Sequence, residues 1–222
     1  MRLAIKIGGS ISIGEKGPDP EFAAAFRNAV ADLEELERLA VGIGGGKLAR
    51  GYLHSIRSIM GPDEAESVVV ELLRANTKFM ALLLGGRAIM DEPSIAKALK
   101  FPEEILVIGG IKPGRSTDAN TALLAKSIRA DLFVKMTDVD GVYSADPDAD
   151  RSAELLDRIT YDQLYELSID GTPGSYGVLD RTAIQVLQEA RIPSRVIDGR
   201  DPRILLRLQS GSDTGTLISD QQ

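Results

Sequence analysis

Three short apolar runs in this chain each end on consecutive glycines. Leu3 to Ile7 (LAIKI) runs into Gly8-Gly9-Ser10, Ala40 to Ile43 (AVGI) into Gly44-Gly45-Gly46, and Ile105 to Ile108 (ILVI) into Gly109-Gly110. Apolar runs this short, closed by glycine and followed by helical periodicity, read as buried strands feeding helices. The predicted helices are 18–40, 47–60, 63–84, one from Asp118 through DANTALLAKSIRA, and RTAIQVLQEA. DLFVKMT, SRVID and TGTLIS are further strands. Asp19 followed by Pro20 suits a helix start. Strands without polar alternation, separated by amphipathic helices, imply a three-layer αβα sandwich with a mostly parallel central sheet. No linker or repeat interrupts the pattern, so one domain over 1–222 is expected, with lobes meeting near residue 130. In such sheets ligands bind beyond the carboxyl ends of the strands. One glycine pair would do no more than end a strand. Three point to a phosphorylated ligand, because glycine lets backbone N–H groups approach an anion closely.

Composition removes other chemistries. The 26 basic and 33 acidic residues leave a net charge of -7, which argues against a nucleic-acid or anionic-membrane surface. With no cysteine and one histidine, His54, thiolate catalysis, cysteine-ligated zinc and histidine relays have no residues to work with. The opening MRLAIKIGGS is too short an apolar run for a signal segment or a membrane span, so a soluble cytoplasmic protein is expected.

Standard nucleotide motifs do not fit. Gly46-Lys47 is followed by Leu48, and Val41 stands where a Walker A loop needs its first glycine. A dinucleotide fingerprint can be laid on Gly44, Gly46 and Ala49 only weakly, because three successive glycines satisfy many patterns. Gly8-Gly9-Ser10-Ile11-Ser12 lacks the last glycine of a nucleophile elbow. Cations do accompany the glycines. Lys6 lies inside the first strand, where burial without an anion is costly; a lysine snorkelling from a strand end is the alternative. Lys47 and Arg50 flank the second loop. Lys112 and Arg115 lie in the third, GGIKPGRSTDA, with Ser116 and Thr117 hydroxyls and a helix expected to be capped near Thr117 or Asp118. TDVDGVYSADPDAD holds five aspartates in 14 residues, but Arg151 occupies the glycine position of a calcium loop and Asp157 its terminal glutamate position. Asp138 and Asp140 are expected to frame a turn, and Asp148 and Asp150 to be solvated; no protein-held metal is expected.

Taken together, IKIGGS, GGGKLARGY, ELLRAN, GGIKPGRSTDA, TDVDGVYSADP and TGTLI, in consistent order along nearly the whole chain, resemble the amino acid kinase superfamily and within it the archaeal-type UMP (uridylate) kinases. The resemblance implies phosphoryl transfer from ATP, with Mg²⁺ carried by the nucleotide, to UMP, in a homohexamer. It implies ATP contacts for Gly8, Gly9, Ser10, Gly46, Arg50, Thr137, Asp138, Tyr143 and Asp146. UMP contacts would come from Gly45, Glu66, Gly110, Ile111, Lys112, Pro113, Gly114, Arg115, Ser116 and Thr117. Lys6 would neutralise the transferring group and Asp118 would organise the cations. The acceptor side would lie in 1–130 and the ATP nucleoside side in 131–222. Lys135, the last lysine of the chain, is a candidate second catalytic lysine. GSYGVLDRTA departs from many relatives in Tyr176 and Arg181, and Lys112 and Arg115 stand where relatives vary. An isopentenyl phosphate kinase is the alternative within the fold, although it would be expected to carry a histidine where Lys47 ends the second loop. A non-catalytic nucleotide sensor is the alternative outside catalysis.

Overall fold

Strand β1 (Arg2–Ile7) is buried from Leu3 onward, and after Arg2 every residue but Lys6 is apolar. It leads into a one-turn helix α1 (Gly9–Ser12), then α2 (Pro20–Ala31), β2 (Arg38–Ile43), α3 (Gly46–Ile56), α4 (Pro62–Leu84), β3 (Arg87–Ile89), α5 (Glu92–Ala96), β4 (Ile105–Ile108), α6 (Thr117–Ile128) and β5 (Leu132–Thr137). Beyond these come β6 (Val142–Tyr143), β7 (Leu155–Leu156), β8 (Arg158–Ile159), α7 (Tyr161–Leu167), α8 (Arg181–Glu189), β9 (Ser194–Asp198), α9 (Ile204–Gln209) and β10 (Thr216–Ile218). The structure, a computed structural model, describes residues 1–147, 149–168 and 178–220. Asp148 and Tyr176 lie outside the described residues.

Among the described residues the main sheet has eight strands in the order β3-β4-β2-β1-β5-β9-β10-β8. All neighbours are parallel except β9 and β10. From β1 the chain moves outward to β2 and on to the edge strand β3, returns to β4 between them, then crosses back to place β5 on the other flank of β1. The crevice between the carboxyl ends of β1 and β5 is therefore the topological switch point.

The two-residue period of a strand sorts its side chains between two cores. Leu3, Ile5 and Ile7 join Val41, Ile43, Val134 and Met136 beneath α2, α4 and α9. Ala4 joins Ala40, Leu106, Ile108, Phe133 and Val196 beneath α6 and α8. Burying each large aliphatic side chain is worth roughly 1.5–3 kcal/mol, so burial on the two sheet faces outweighs helix propensity as the source of stability. On the second face the residues nearest α6 are small. A Cβ on Gly42 would lie 1.8 Å from Thr121 Oγ1, so only glycine lets α6 settle this close to the sheet.

Element by element the structure corrects the sequence reading at several boundaries. The predicted helix 18–40 ends at Ala31, and its last residues become the start of β2. Leu33 and Leu36 still pack on the core, but from a turn in which Glu35 takes a φ of 54°. That turn imitates helical spacing without being helical. Asp19 caps α2 as expected, accepting from the N–H groups of Glu21 and Phe22 at 2.9 Å. Strand β3 and helix α5 were not anticipated, because RAI and EPSIA are too short for either period to register.

Candidate active site

The register of the sheet builds the centre of the site. Lys6 on β1 faces Gly42 on β2 and Lys135 on β5, all on the α6 side of the sheet near its carboxyl edge. With Thr121 of α6 over Gly42, Asp118 one turn earlier in the helix reaches both lysines. Its Oδ1 accepts a hydrogen bond from Lys135 Nζ and lies 3.6 Å from Lys6 Nζ. Lys6 Nζ also donates to the Ile7 carbonyl at 2.9 Å. The expected cap at Thr117 or Asp118 is instead Ser116, whose Oγ accepts from Ala119 N at 2.9 Å. Asp118 is thereby left free for the lysines.

These charges are mostly withdrawn from water, with side-chain exposures of 2% for Lys6, 9% for Lys135 and 20% for Asp118. Burial lowers the Lys6 pKa to about 8 against the attraction of Asp118, and Lys135 adds to the depression. For Asp118, burial pushes the carboxyl up, but Lys135 and Lys6 together hold it below the usual range. Two cations and one carboxylate leave one buried positive charge in excess, which an incoming anion would balance.

The glycine ends of β1 and β2 meet above this centre. Gly46 has a φ of 58°, and a Cβ there would lie 2.2 Å from the Ile13 carbonyl oxygen and 2.5 Å from that of Gly9. Buried side chains tie back the loop carbonyls: Ser12 Oγ donates to Gly8 O at 2.9 Å, Asn76 Nδ2 to Gly44 O at 3.1 Å and Asn120 Nδ2 to Gly109 O at 2.8 Å. In a trans peptide the next N–H points the opposite way, which turns the Gly9 and Gly45 amides away from those partners. These polar anchors escaped the sequence reading, since an asparagine within a helical pattern gives no sign of what it holds.

The resulting cleft has a volume of about 650 Å³, within the usual range for small-ligand sites. It gathers Lys6, Gly8, Gly9, Ser10, Gly45, Gly46 and Arg50 with Arg115, Ser116, Thr117, Asp118, Lys135 and Thr137. Among the described residues Asp118 is the only carboxylate on its wall, and its Oδ1 already serves both lysines. No described cluster of three or more acidic or histidine side chains is arranged to hold a metal. This donor set suits a Mg²⁺ that arrives on a polyphosphate, since Mg²⁺ commonly keeps waters and phosphate oxygens as ligands.

Other expected residues lie off this wall. Asp138 accepts from Thr137 Oγ1 at 3.1 Å and lines a neighbouring groove with Ser10 and Arg200. Tyr143 sits on the β6–β7 hairpin, and Asp146 follows in the loop where its carbonyl accepts from Asp150 N at 2.7 Å. Asp150 itself binds Ser152 N and Oγ. Glu66 on α4 accepts from Gly114 N at 3.0 Å, holding the loop after β4 by its backbone. Gly110 packs beside Leu73, and Ile111 turns its side chain into the core. Lys112, Pro113 and Gly114 form the exposed outer turn of that loop. His54 is exposed on α3. Arg181 lies over the Tyr165 ring, 5.2 Å from its centroid.

Asp180 was overlooked in the sequence. Its Oδ1 accepts from Ala183 N at 3.1 Å and caps α8, and its Oδ2 pairs with Ser116 Oγ at 2.5 Å. It thus couples the starts of α6 and α8, and its charge favours the protonated form of Lys6. The signal in LDRTAI was an ordinary helix cap; its closeness to Ser116, 64 residues away, arises only in the fold.

The amino acid kinase family model matches residues 86–198. The chain is 34% identical to the uridylate kinase of Thermococcus gammatolerans, covering 98% of this chain and 99% of that protein. It is 35% identical to the uridylate kinase of Hyperthermus butylicus over 94% and 96% of the two chains. The crystal structure of uridylate kinase from Archaeoglobus fulgidus superposes with a TM-score of 0.79 at 30% identity, covering 97% of this chain and all of that one.

Proposed function

Because this chain belongs to the amino acid kinase family, alongside its uridylate kinases, we propose that it transfers the γ-phosphoryl group of MgATP to UMP, forming UDP and ADP. The observation that carries this reading is the single Asp118 oxygen shared by Lys6 and Lys135 at the β1–β5 switch point, beneath two touching glycine loops. Phosphoryl transfer asks a protein mainly for in-line positioning and for positive charge on the equatorial oxygens. The UMP phosphate is already an ionised nucleophile, so no general base is needed.

In this proposal Gly8, Gly9, Ser10, Gly46 and Arg50 hold the ATP phosphates, and Thr137, Asp138, Tyr143 and Asp146 its nucleoside. Gly45, Glu66 and the loop from Gly110 to Thr117 hold UMP. Lys6 meets the transferring group from the acceptor-side strand and Lys135 from the ATP-side strand, while Asp118 keeps both cations at fixed spacing. As the phosphoryl group becomes more planar and its charge spreads, these fixed cations stabilise it without reorganising. Mg²⁺, when bound with ATP, supplies further charge neutralisation on the phosphates.

The protein is proposed to work in the cytoplasm; no described helix is long and apolar enough to cross a membrane. Self-association, proposed here as a hexamer, is supported by apolar Tyr52, Val68 and Leu82 exposed on α3 and α4, and sedimentation of the purified chain tests it. Activity is tested by incubating the protein with MgATP and a panel of nucleoside monophosphates and isopentenyl phosphate while following ADP release. UMP-dependent ADP is expected. Turnover of isopentenyl phosphate without UMP turnover would overturn the proposal, as would ATP binding with no acceptor-dependent release.

A further inference from the structure

Strand β3 pairs in parallel with β4, with Ile89 opposite Ile108, so the segments leaving the two strands emerge side by side. One carries Glu92 at the start of α5; the other carries Lys112 and Arg115. The Glu92 carboxylate is 3.0 Å from Lys112 Nζ and also accepts a hydrogen bond from Arg115 Nη1. Lys112 and Glu92 are about half exposed, whereas the Arg115 side chain is only 16% exposed and lines the cleft.

The guanidinium of Arg115 is left in an unusual state. Nη1 is held by Glu92, while Nε and Nη2 are shielded from water and have no hydrogen-bond partner. Leaving buried donors unmet is costly, so a hydrogen-bond acceptor that reaches them gains affinity. Nε and Nη2 form one edge of the planar fork, the edge that takes a phosphate or carboxylate through two parallel bonds. Lys112 has its charge matched by Glu92, so Arg115 is the loop cation with an edge to offer. The loop is fixed from a second side by Glu66, which binds Gly114 N.

We propose that Glu92 is a positioning residue for the acceptor: by holding Arg115 through Nη1 it keeps the guanidinium in the cleft wall with Nε and Nη2 unspent, for the acceptor's phosphate monoester to engage as the exposed loop adjusts around it. This rests on the reading of the chain as a kinase with a phosphate acceptor. Glu92 acts through Arg115, and as a half-exposed ion pair it adds little to folding.

The test compares wild type, Glu92→Gln, Glu92→Ala, Arg115→Ala and the Glu92→Ala/Arg115→Ala double variant, in steady-state kinetics and in calorimetric titration with UMP without ATP. For Glu92→Ala, KM and Kd for UMP should rise about tenfold, with kcat and the KM for ATP within about twofold. Glu92→Gln, which keeps a carbonyl acceptor but not the charge, should fall between. In the Arg115→Ala background, Glu92→Ala should add nothing further. Unchanged or tighter UMP binding in the Glu92 variants overturns the inference, as does an equal loss in the Arg115→Ala background. Glu92→Gln, nearly isosteric, carries the test by itself if the alanine variant fails to fold. UMP binding that depends on Glu92 without turnover would refute the kinase activity alone. UMP turnover that is indifferent to Glu92 would refute this inference alone.

Discussion

The two ends of the cleft hold their cations in opposite ways. At the β1–β5 crevice, Lys6 and Lys135 belong to adjacent strands in fixed register, and Asp118 descends on them from a helix packed against the sheet. In the loop after β4, Lys112 and Arg115 sit around an exposed turn; both pair with Glu92, and Glu66 holds the Gly114 N–H between them. The first arrangement has nowhere to move without disturbing the core. The second can shift at modest cost, because its ion pairs are partly solvated. In the proposed function, phosphoryl-transfer chemistry would therefore rest on the rigid frame, and acceptor recognition on a loop that can change without loss of fold.

The comparison is broken most severely at its rigid end. Lys6→Ala should lower kcat about a thousandfold while UMP binding changes little, as read by steady-state kinetics and calorimetry; a near-normal kcat would remove Lys6 from the chemistry. Asp118→Ala leaves two largely buried ammonium groups without their carboxylate. It should cost about 3 kcal/mol of stability, measured by urea unfolding, together with most of the activity. An unchanged unfolding midpoint would show that water reaches these lysines freely.

Alkaline pH probes the same end more gently. Below about pH 8 Lys6 is protonated both in the folded and in the unfolded chain. Between about 8 and its ordinary value of 10.5 the folded chain has released a proton that the unfolded chain retains. Stability should therefore gain a rising component across that window, absent in Lys6→Met, while kcat/KM loses the charged lysine and bends downward near pH 8. A flat kcat/KM profile through this range would contradict the depressed value. The smallest effect belongs to the loop. Arg115→Ala should raise the KM for UMP about tenfold and leave kcat and the unfolding midpoint close to wild type. An equal fall in kcat would mean that Arg115 acts on the transition state, and the contrast between the two ends would disappear.

Much of the centre was legible beforehand. Lys6 stood out as a cation in an apolar strand, and the glycine ends of β1, β2 and β4 marked the edge where a ligand would sit. Lys135 was visible only as a candidate, because a lysine near a strand end has the same sequence signature whether it snorkels or faces a site. Glu92 and Asp180 gave only cap-like or charged-surface signals. Each owes its place to elements distant in sequence, β3 beside β4 and α8 beside α6. The two buried asparagines were hidden for the same reason.

Sequence by itself determined the layered architecture, because strand and helix periods are local and the placement of glycine obeys local backbone geometry. It also determined that phosphate chemistry would have to proceed without cysteine and almost without histidine. Only the tertiary structure decided which charges meet. Placing β5 beside β1 brings Lys135 next to Lys6, and the close seating of α6 over Gly42 brings Asp118 to both. Strand order and helix depth come from the packing of whole faces, which no local stretch of residues contains.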